Sequence, residues 1–195
     1  MDKSDHSQKI GLLGGSFNPA HEGHLEISLM ALDMLKLDLV WWLVSPGNPL
    51  KSDHEMAPFE QRMKSAQERA KNPRITVTDL EKNIGTHYTV DTLAKITELH
   101  PQHHFIWLMG ADNLAQFDQW KDWRKIAKTV PFAIFNRPSY CKPGLESVAA
   151  CELADYRIDP AQAHTLYQLK PPAWVYCQDT DNPVSSTEIR SKNKL

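Results

Sequence analysis

The chain lacks most of the spacings that fix a chemistry directly. Its three cysteines, Cys141, Cys151 and Cys177, form no C-x-x-C pair, which excludes a thioredoxin-like redox centre or a cysteine zinc site. Odd in number and scattered, they read as reduced, structural thiols of a cytoplasmic protein. Neither G-x-G-x-x-G nor G-K-[ST] occurs, so the dinucleotide fingerprint and the P-loop are both absent. Long apolar runs are missing too. The longest, Leu39 to Val44, is far short of the roughly 20 residues that span a bilayer. The first nine residues are polar and charged, with no apolar stretch of a signal peptide. No large excess of either charge is present. A net charge of −2 gives no general attraction to nucleic acid or to an anionic membrane.

What is present is a regular alternation. Apolar runs at Lys9–Leu13, Leu39–Val44, Arg74–Thr78, His104–Met109, Val130–Phe135 and Trp174–Cys177 read as strands. Between them, Glu22–Leu35 repeats leucine at helical spacing, Pro58–Ala70 starts with a proline suited to a first turn, and Thr86–Leu99 ends at His100-Pro101. Asp112–Thr129 carries one or two short helices, and Ser185–Lys192 starts a last one. Residues 1–7 read as a loose polar leader, and 139–172 give no clear pattern. This order predicts an α/β, Rossmann-like, doubly wound fold with a mainly parallel sheet and helices on both faces. At 195 residues it fits a single domain, 1–195. Ligands of such sheets bind beyond the carboxyl ends of the strands. The loops after Leu13, Val44, Thr78, Met109 and Phe135 are therefore the places to look.

The first of these loops is the richest. Gly14 and Gly15 allow a tight turn and a close approach of backbone to ligand. The helix start beyond Pro19 offers N–H groups and a partial positive charge to a phosphate. His21 and His24, three apart, project to one side of a first turn, and each imidazole can donate to a phosphate oxygen while neutral. A zinc pair is the alternative, but the spacing is H-x-x-H, not H-E-x-x-H, and no further ligand set is evident. No protein-held metal is expected. Near the other end, Val184-Ser185-Ser186-Thr187-Glu188-Ile189-Arg190 combines a capping box, Ser185 with Glu188, with hydroxyls and Arg190 for a second anion site.

Together these segments resemble a known family. Gly14-Gly15-Ser16-Phe17-Asn18-Pro19-Ala20-His21-Glu22-Gly23-His24-Leu25 is similar to the G-G-[ST]-F-[DN]-P-x-H-x-G-H-L signature of the nucleotidylyltransferase superfamily. Val184–Arg190 is similar to its I-S-S-T-x-I-R motif. The resemblance covers roughly residues 8–138 and 173–191. Within the superfamily the chain resembles the bacterial nicotinate-nucleotide adenylyltransferases. The resemblance implies that His21, His24 and Arg190 are catalytic. It also implies that Gly14, Gly15, Ser16, Phe17, His21, His24, Arg137, Ser185, Ser186, Thr187 and Arg190 bind ATP. Asn18 stands where the family more often has aspartate.

The acceptor is read from other segments. Thr86-His87-Tyr88-Thr89-Val90-Asp91-Thr92-Leu93 resembles the family's S-Y-T-x-x-T-L, which implies that Tyr88 and Thr89 sit at the nicotinate carboxylate; His87 replaces the serine. Gly110 to Ile126 resembles G-x-D-x-x-x-x-F-x-x-W-x-x-W-x-x-I. That places Gly110 and Asp112 on substrate and Trp120 on the nicotinate ring, with Trp123 as packing. Lys51, where the family often has P-P-H-K, is either a substrate contact or a surface lysine.

The expected reaction is adenylyl transfer from ATP to nicotinate mononucleotide, giving nicotinate adenine dinucleotide and pyrophosphate by direct in-line attack. The implied cofactor is Mg²⁺, carried mainly by the ATP phosphates. A homo-oligomer is left open, and neither nucleic acid nor membrane is an expected partner. Competing readings are the same chemistry on nicotinamide mononucleotide or phosphopantetheine, and a non-catalytic nucleotide-binding domain.

Overall fold

The computed structural model describes residues 6–47, 56–136 and 141–178. Strands β1 (Lys9–Gly15), β2 (Leu39–Val44), β3 (Ile75–Thr78), β4 (His104–Gly110), β5 (Phe132–Phe135), β6 (Arg157–Ile158) and β7 (Trp174–Cys177) form one sheet in the order β3-β2-β1-β4-β5-β7-β6. All six pairings are parallel. The fold class expected from the alternation is therefore the one observed.

Period-2 alternation along these buried strands splits the core into two halves. Leu12, Trp107, Phe132 and Trp174 face one half, with α4 (Thr89–Leu99) and α6 (Trp123–Thr129) contributing Leu93 and Ile126. Leu13, Ile106, Ala133 and Val175 face the other, closed by Ile27 and Leu32 of α1 (Glu22–Met34) and Ala66 of α2 (Phe59–Arg69). The chain leaves β1 towards β2 on one side and returns to β4 on the other. The switch point of the sheet therefore lies between the carboxyl ends of β1 and β4, at Gly14-Gly15 and Gly110.

The two glycines act differently from the tight turn expected of them. Both lie inside β1. A Cβ on Gly14 would stand 2.3 Å from Cη2 of Trp107, so residue 14 is glycine because an indole occupies its side-chain space. A Cβ on Gly15 would meet only ordinary contact with Phe17. The turn comes at Phe17, whose φ of 46° is left-handed and costs a non-glycine residue about 1–2 kcal/mol. We expect Gly14→Ala to lose about 1–3 kcal/mol by overpacking. Trp107→Leu should restore most of it in the double variant, as read by thermal unfolding. Equal losses with and without the tryptophan would contradict this account.

Three further elements differ from the sequence reading. Helix α4 starts at Thr89 rather than Thr86, because Thr86 is held in the preceding link. A one-turn helix, α3 (Leu80–Asn83), precedes that link. The stretch without pattern holds α7 (Cys141–Leu145), α8 (Val148–Glu152), edge strand β6 and a 3-10 helix at Pro160–Gln168. The 3-10 helix starts on an Asp159 cap with Pro160 in its first turn. Cys177 is buried, whereas Cys151 is exposed on α8, so a buried structural role does not extend to Cys151. The side chain of Cys141 lies outside the described part.

Candidate active site

The loop from Ser16 to Ala20 leads from the end of β1 into α1. His21 is the N-cap of α1 and His24 its third residue, and the two side chains form a reciprocal capping box. His21 Nδ1 accepts from the Gly23 N–H and His24 Nδ1 accepts from the His21 N–H, both at 3.2 Å. A ring nitrogen that accepts cannot also carry a hydrogen. Each neutral imidazole is therefore fixed as the Nε2–H tautomer. The ring centroids are 3.9 Å apart, so two Nε2–H donors sit side by side at a helix N-terminus.

The packing behind the pair fixes its position. Phe17 lies 4.7 Å from the His24 ring and stacks on Trp42 at 5.1 Å. Trp42 Nε1 donates to Ser28 Oγ at 2.7 Å, and Ser28 Oγ donates to the His24 carbonyl at 2.8 Å. Gly14, Gly15, Ser16, Phe17, His21 and His24 are thus brought together at the switch point.

Arg62 was not foreseen as a site residue. It lies buried on α2, 2% exposed. Its Nη1 donates to the carbonyls of Ser16 (2.7 Å) and Ser45 (2.8 Å), Nη2 to Pro46 (3.2 Å) and Nε to Ala57 (3.0 Å). One guanidinium therefore ties the loop after β1 to the loop after β2. Burial lowers its pKa from the ordinary arginine value, and carbonyl dipoles compensate the charge. The signal was available: Phe59, Arg62, Met63 and Ala66 form one helical face in which a single member is charged. Asn18 joins the same clamp. Its Oδ1 accepts from the Ala57 N–H at 3.2 Å, a bond a carboxylate oxygen could also accept. This accounts for asparagine serving where the family more often has aspartate.

The opposite wall comes from α4 and the segment after β4. Tyr88 is the N-cap residue of α4 and 41% exposed, and Thr89 is the first helical residue. Gly110 ends β4 and caps α5 (Ala111–Leu114), with Asp112 half-buried in its first turn. Trp120 is partly buried against Phe117, whereas Trp123 is 5% exposed within the core. The packing role expected for Trp123 is the one observed. Lys121 joins this wall across the site. Its Nζ lies 4.3 Å over the Tyr88 ring and 3.2 Å from Asp91 Oδ2.

Beneath α4 lies a buried acid. Glu81 is 6% exposed, its Oε1 accepts from Thr92 Oγ1 at 3.0 Å, and burial pushes its pKa up to about 7 against the opposing hydroxyl bond. A raised carboxyl pKa contributes stability that is complete below about 4.5 and is lost as pH rises through about 7. Glu81→Gln should therefore melt above the wild type at pH 8.5, by up to about 3 kcal/mol. The gap should close by pH 5. A constant gap across that range would show that Glu81 is not buried as described.

Lys51, Arg137, Ser185, Ser186, Thr187 and Arg190 lie outside the described residues. Among the described residues no cluster of three His, Cys, Asp or Glu could hold a metal ion, and no helix is long and apolar enough to cross a membrane.

A parallel sheet with a switch-point loop, a paired-imidazole helix start and a facing aromatic wall is built to receive a nucleotide. Residues 12–192 match the cytidylyltransferase-like family model. A protein of Parvibaculum lavamentivorans named "Probable nicotinate-nucleotide adenylyltransferase" is 51% identical over 184 residues, covering 94% of this chain and 92% of its own. One of the same name from Agrobacterium fabrum is 45% identical over 185 residues, covering 95% and 99%. A Plasmodium falciparum nicotinic acid mononucleotide adenylyltransferase, solved in complex with NaAD, superposes with a TM-score of 0.70 at 21% identity, over 94% of this chain and 83% of that one. The chain belongs to the nicotinate-nucleotide adenylyltransferases of the cytidylyltransferase-like family.

Proposed function

We propose that the protein transfers the adenylyl group of ATP to the phosphate of nicotinate mononucleotide, releasing pyrophosphate and forming nicotinate adenine dinucleotide. The observation that carries the reading is the histidine pair. Both Nδ1 atoms accept capping hydrogen bonds, so the hydrogen of each neutral ring is on Nε2, and the pair stands at a helix N-terminus suited to a phosphate. The shared name of the 45–51% identical relatives supports the same reaction.

The chemistry asks little else of the chain. A nucleotide phosphate is anionic near neutral pH, its second pKa being about 6, so it needs no general base. One of its oxygens attacks the α-phosphorus of ATP in line. The bond from that phosphorus to the β-phosphate oxygen breaks, and the electron pair leaves with pyrophosphate. His21 and His24 then donate to oxygens on which charge accumulates, and the Arg62 clamp keeps their loop in place beforehand. On the other wall, Tyr88, Thr89 and the free N–H groups of the α4 start receive the nicotinate carboxylate, with Trp120 against the ring. Gly110 and Asp112 lie against the substrate. Ser185, Ser186, Thr187, Arg190, Arg137 and Lys51 complete the anion contacts.

Magnesium, a hard cation, takes oxygen ligands. The groups at the α1 start are imidazole and amide N–H donors, which suit anions, so the ion would be carried by the ATP phosphates, where it would offset their charge.

The test is pyrophosphate release with ATP and each acceptor in turn. Nicotinate mononucleotide should give the highest kcat/KM, above nicotinamide mononucleotide and phosphopantetheine. No release with nicotinate mononucleotide would refute the proposal.

A further inference from the structure

The described residues hold one strongly perturbed carboxyl group that the reaction above does not use, and it lies under the acceptor wall. Thr92 Oγ1 is 3.0 Å from Glu81 Oε1 and 2.9 Å from Thr86 Oγ1. The Thr86 N–H also donates to the Glu81 carbonyl at 3.0 Å. Glu81 therefore holds Thr86 directly through its backbone carbonyl and indirectly through Thr92, and Thr86 lies in the link that ends at Tyr88 and Thr89.

We propose that Glu81 is a positioning residue for the acceptor: through Thr92 it sets which way the Thr86 hydroxyl donates, and so how well the start of α4 receives a carboxylate. This inference rests on the reading of the acceptor as nicotinate mononucleotide.

Thr92 has a single hydroxyl hydrogen and two oxygen neighbours. With Glu81 ionised, Thr92 must donate to the carboxylate, and Thr86 must donate to Thr92. The Thr86 hydrogen is then turned inward, leaving lone pairs outward. With Glu81 protonated the chain reverses: the acid donates to Thr92, Thr92 donates to Thr86, and the Thr86 hydrogen is released for an anion. A buried negative charge would also repel an incoming carboxylate, so both effects act in the same direction.

Few other charges compete. The ionisable groups nearby are Asp79 and Lys82 of α3, His87 and Tyr88 in the link, Asp91 of α4 and Lys121 across from it. Lys82 pairs with Glu60 and Lys121 with Asp91, and all but the half-exposed Asp79 lie at the surface. Strand β2, on which α3 packs, presents Leu39, Trp41 and Leu43 on that side, none of them ionisable. The upward shift that brings Glu81 to its titration midpoint at about 7 comes first from burial.

The experiment measures KM and kcat for nicotinate mononucleotide from pH 6 to 8.5 in the wild type, Glu81→Gln and Thr86→Val. The glutamine amide donates to Thr92 at every pH and mimics the protonated acid. Comparing variants on one substrate cancels titration of the substrate phosphate. The wild-type to Glu81→Gln ratio of KM should be near one at pH 6 and rise about five- to tenfold at pH 8.5, while the kcat ratio stays flat. Thr86→Val, which has no hydrogen to release, should keep the higher KM throughout. With nicotinamide mononucleotide, which carries no carboxylate, the KM ratio should not change with pH. A KM ratio that is constant with pH, or that changes alike for both acceptors, overturns the proposal. Should Glu81→Gln not fold, a Thr86→Val KM that tracks the wild type at all pH values overturns it. A wild type inactive on nicotinate mononucleotide refutes the acceptor reading, and this proposal with it, in the wild-type arm alone.

Discussion

Replacing His24 with asparagine should lower kcat about 10²–10³-fold while the protein still folds. The asparagine Oδ1 can take the place of the ring Nδ1 in the bond to the His21 N–H, so the cap survives. What disappears is the Nε2–H, the donor proposed to face the phosphates. Loss of one preorganised donor to a developing oxyanion costs about that much in other enzymes. The melting temperature should fall by no more than the equivalent of about 1 kcal/mol, the usual size of a capping effect. Glutamine, whose amide nitrogen reaches the Nε2 position, should recover part of the rate and lose the cap instead. Normal turnover in His24→Asn would remove His24 from the mechanism. A collapse in stability with no specific effect on turnover would make it structural only.

Arg62→Met should lower stability more than His24→Asn does. Methionine fills similar space but leaves the carbonyls of Ser16, Ser45, Pro46 and Ala57 without their shared donor. Orphaned carbonyls at partly buried positions cost about 3 kcal/mol here, or roughly 6–12 °C in a chain of this size. The two loops it joins should then separate, raising KM for ATP tenfold or more. Arg62→Lys keeps the charge but cannot fork to four acceptors, so it should recover only a fraction of the loss. A melting point within 2 °C of wild type for Arg62→Met would mean that water replaces the guanidinium without penalty.

Most of the frame was legible in the chain. Strands Leu39–Val44 and His104–Met109 are short, continuous apolar runs, which a sheet buried on both faces demands, and they were placed within a residue. The motif loop was legible as a site but not as a mechanism. That His21 and His24 cap each other depends on a backbone turn at Phe17, whose left-handed φ no propensity assigns to phenylalanine. Read locally, Gly14 serves a tight turn and a close approach to ligand, yet its reason is an indole contributed from 93 residues further along the chain. Arg62 and Glu81 have meaning only once their non-local partners are in place. The stretch 139–172 defeated periodicity because its two α-helices have five residues each, its nine-residue helix winds as a 3-10 helix rather than with the 3.6 period, and its strand has two residues.

The position of β7 bears on how the chain is assembled. In space it lies between β5 and β6, yet it follows both in sequence. Strands β1 to β5 can zip together as they emerge during synthesis, each beside a neighbour already made. Among the described residues, the two of β6 have nothing to pair with until Trp174–Cys177 arrives, since their ladder there runs to β7. The far edge of the sheet is thus sealed by one late insertion, and Trp174, stacked on Phe132 with its indole N–H on the Leu153 carbonyl, is the residue that closes it.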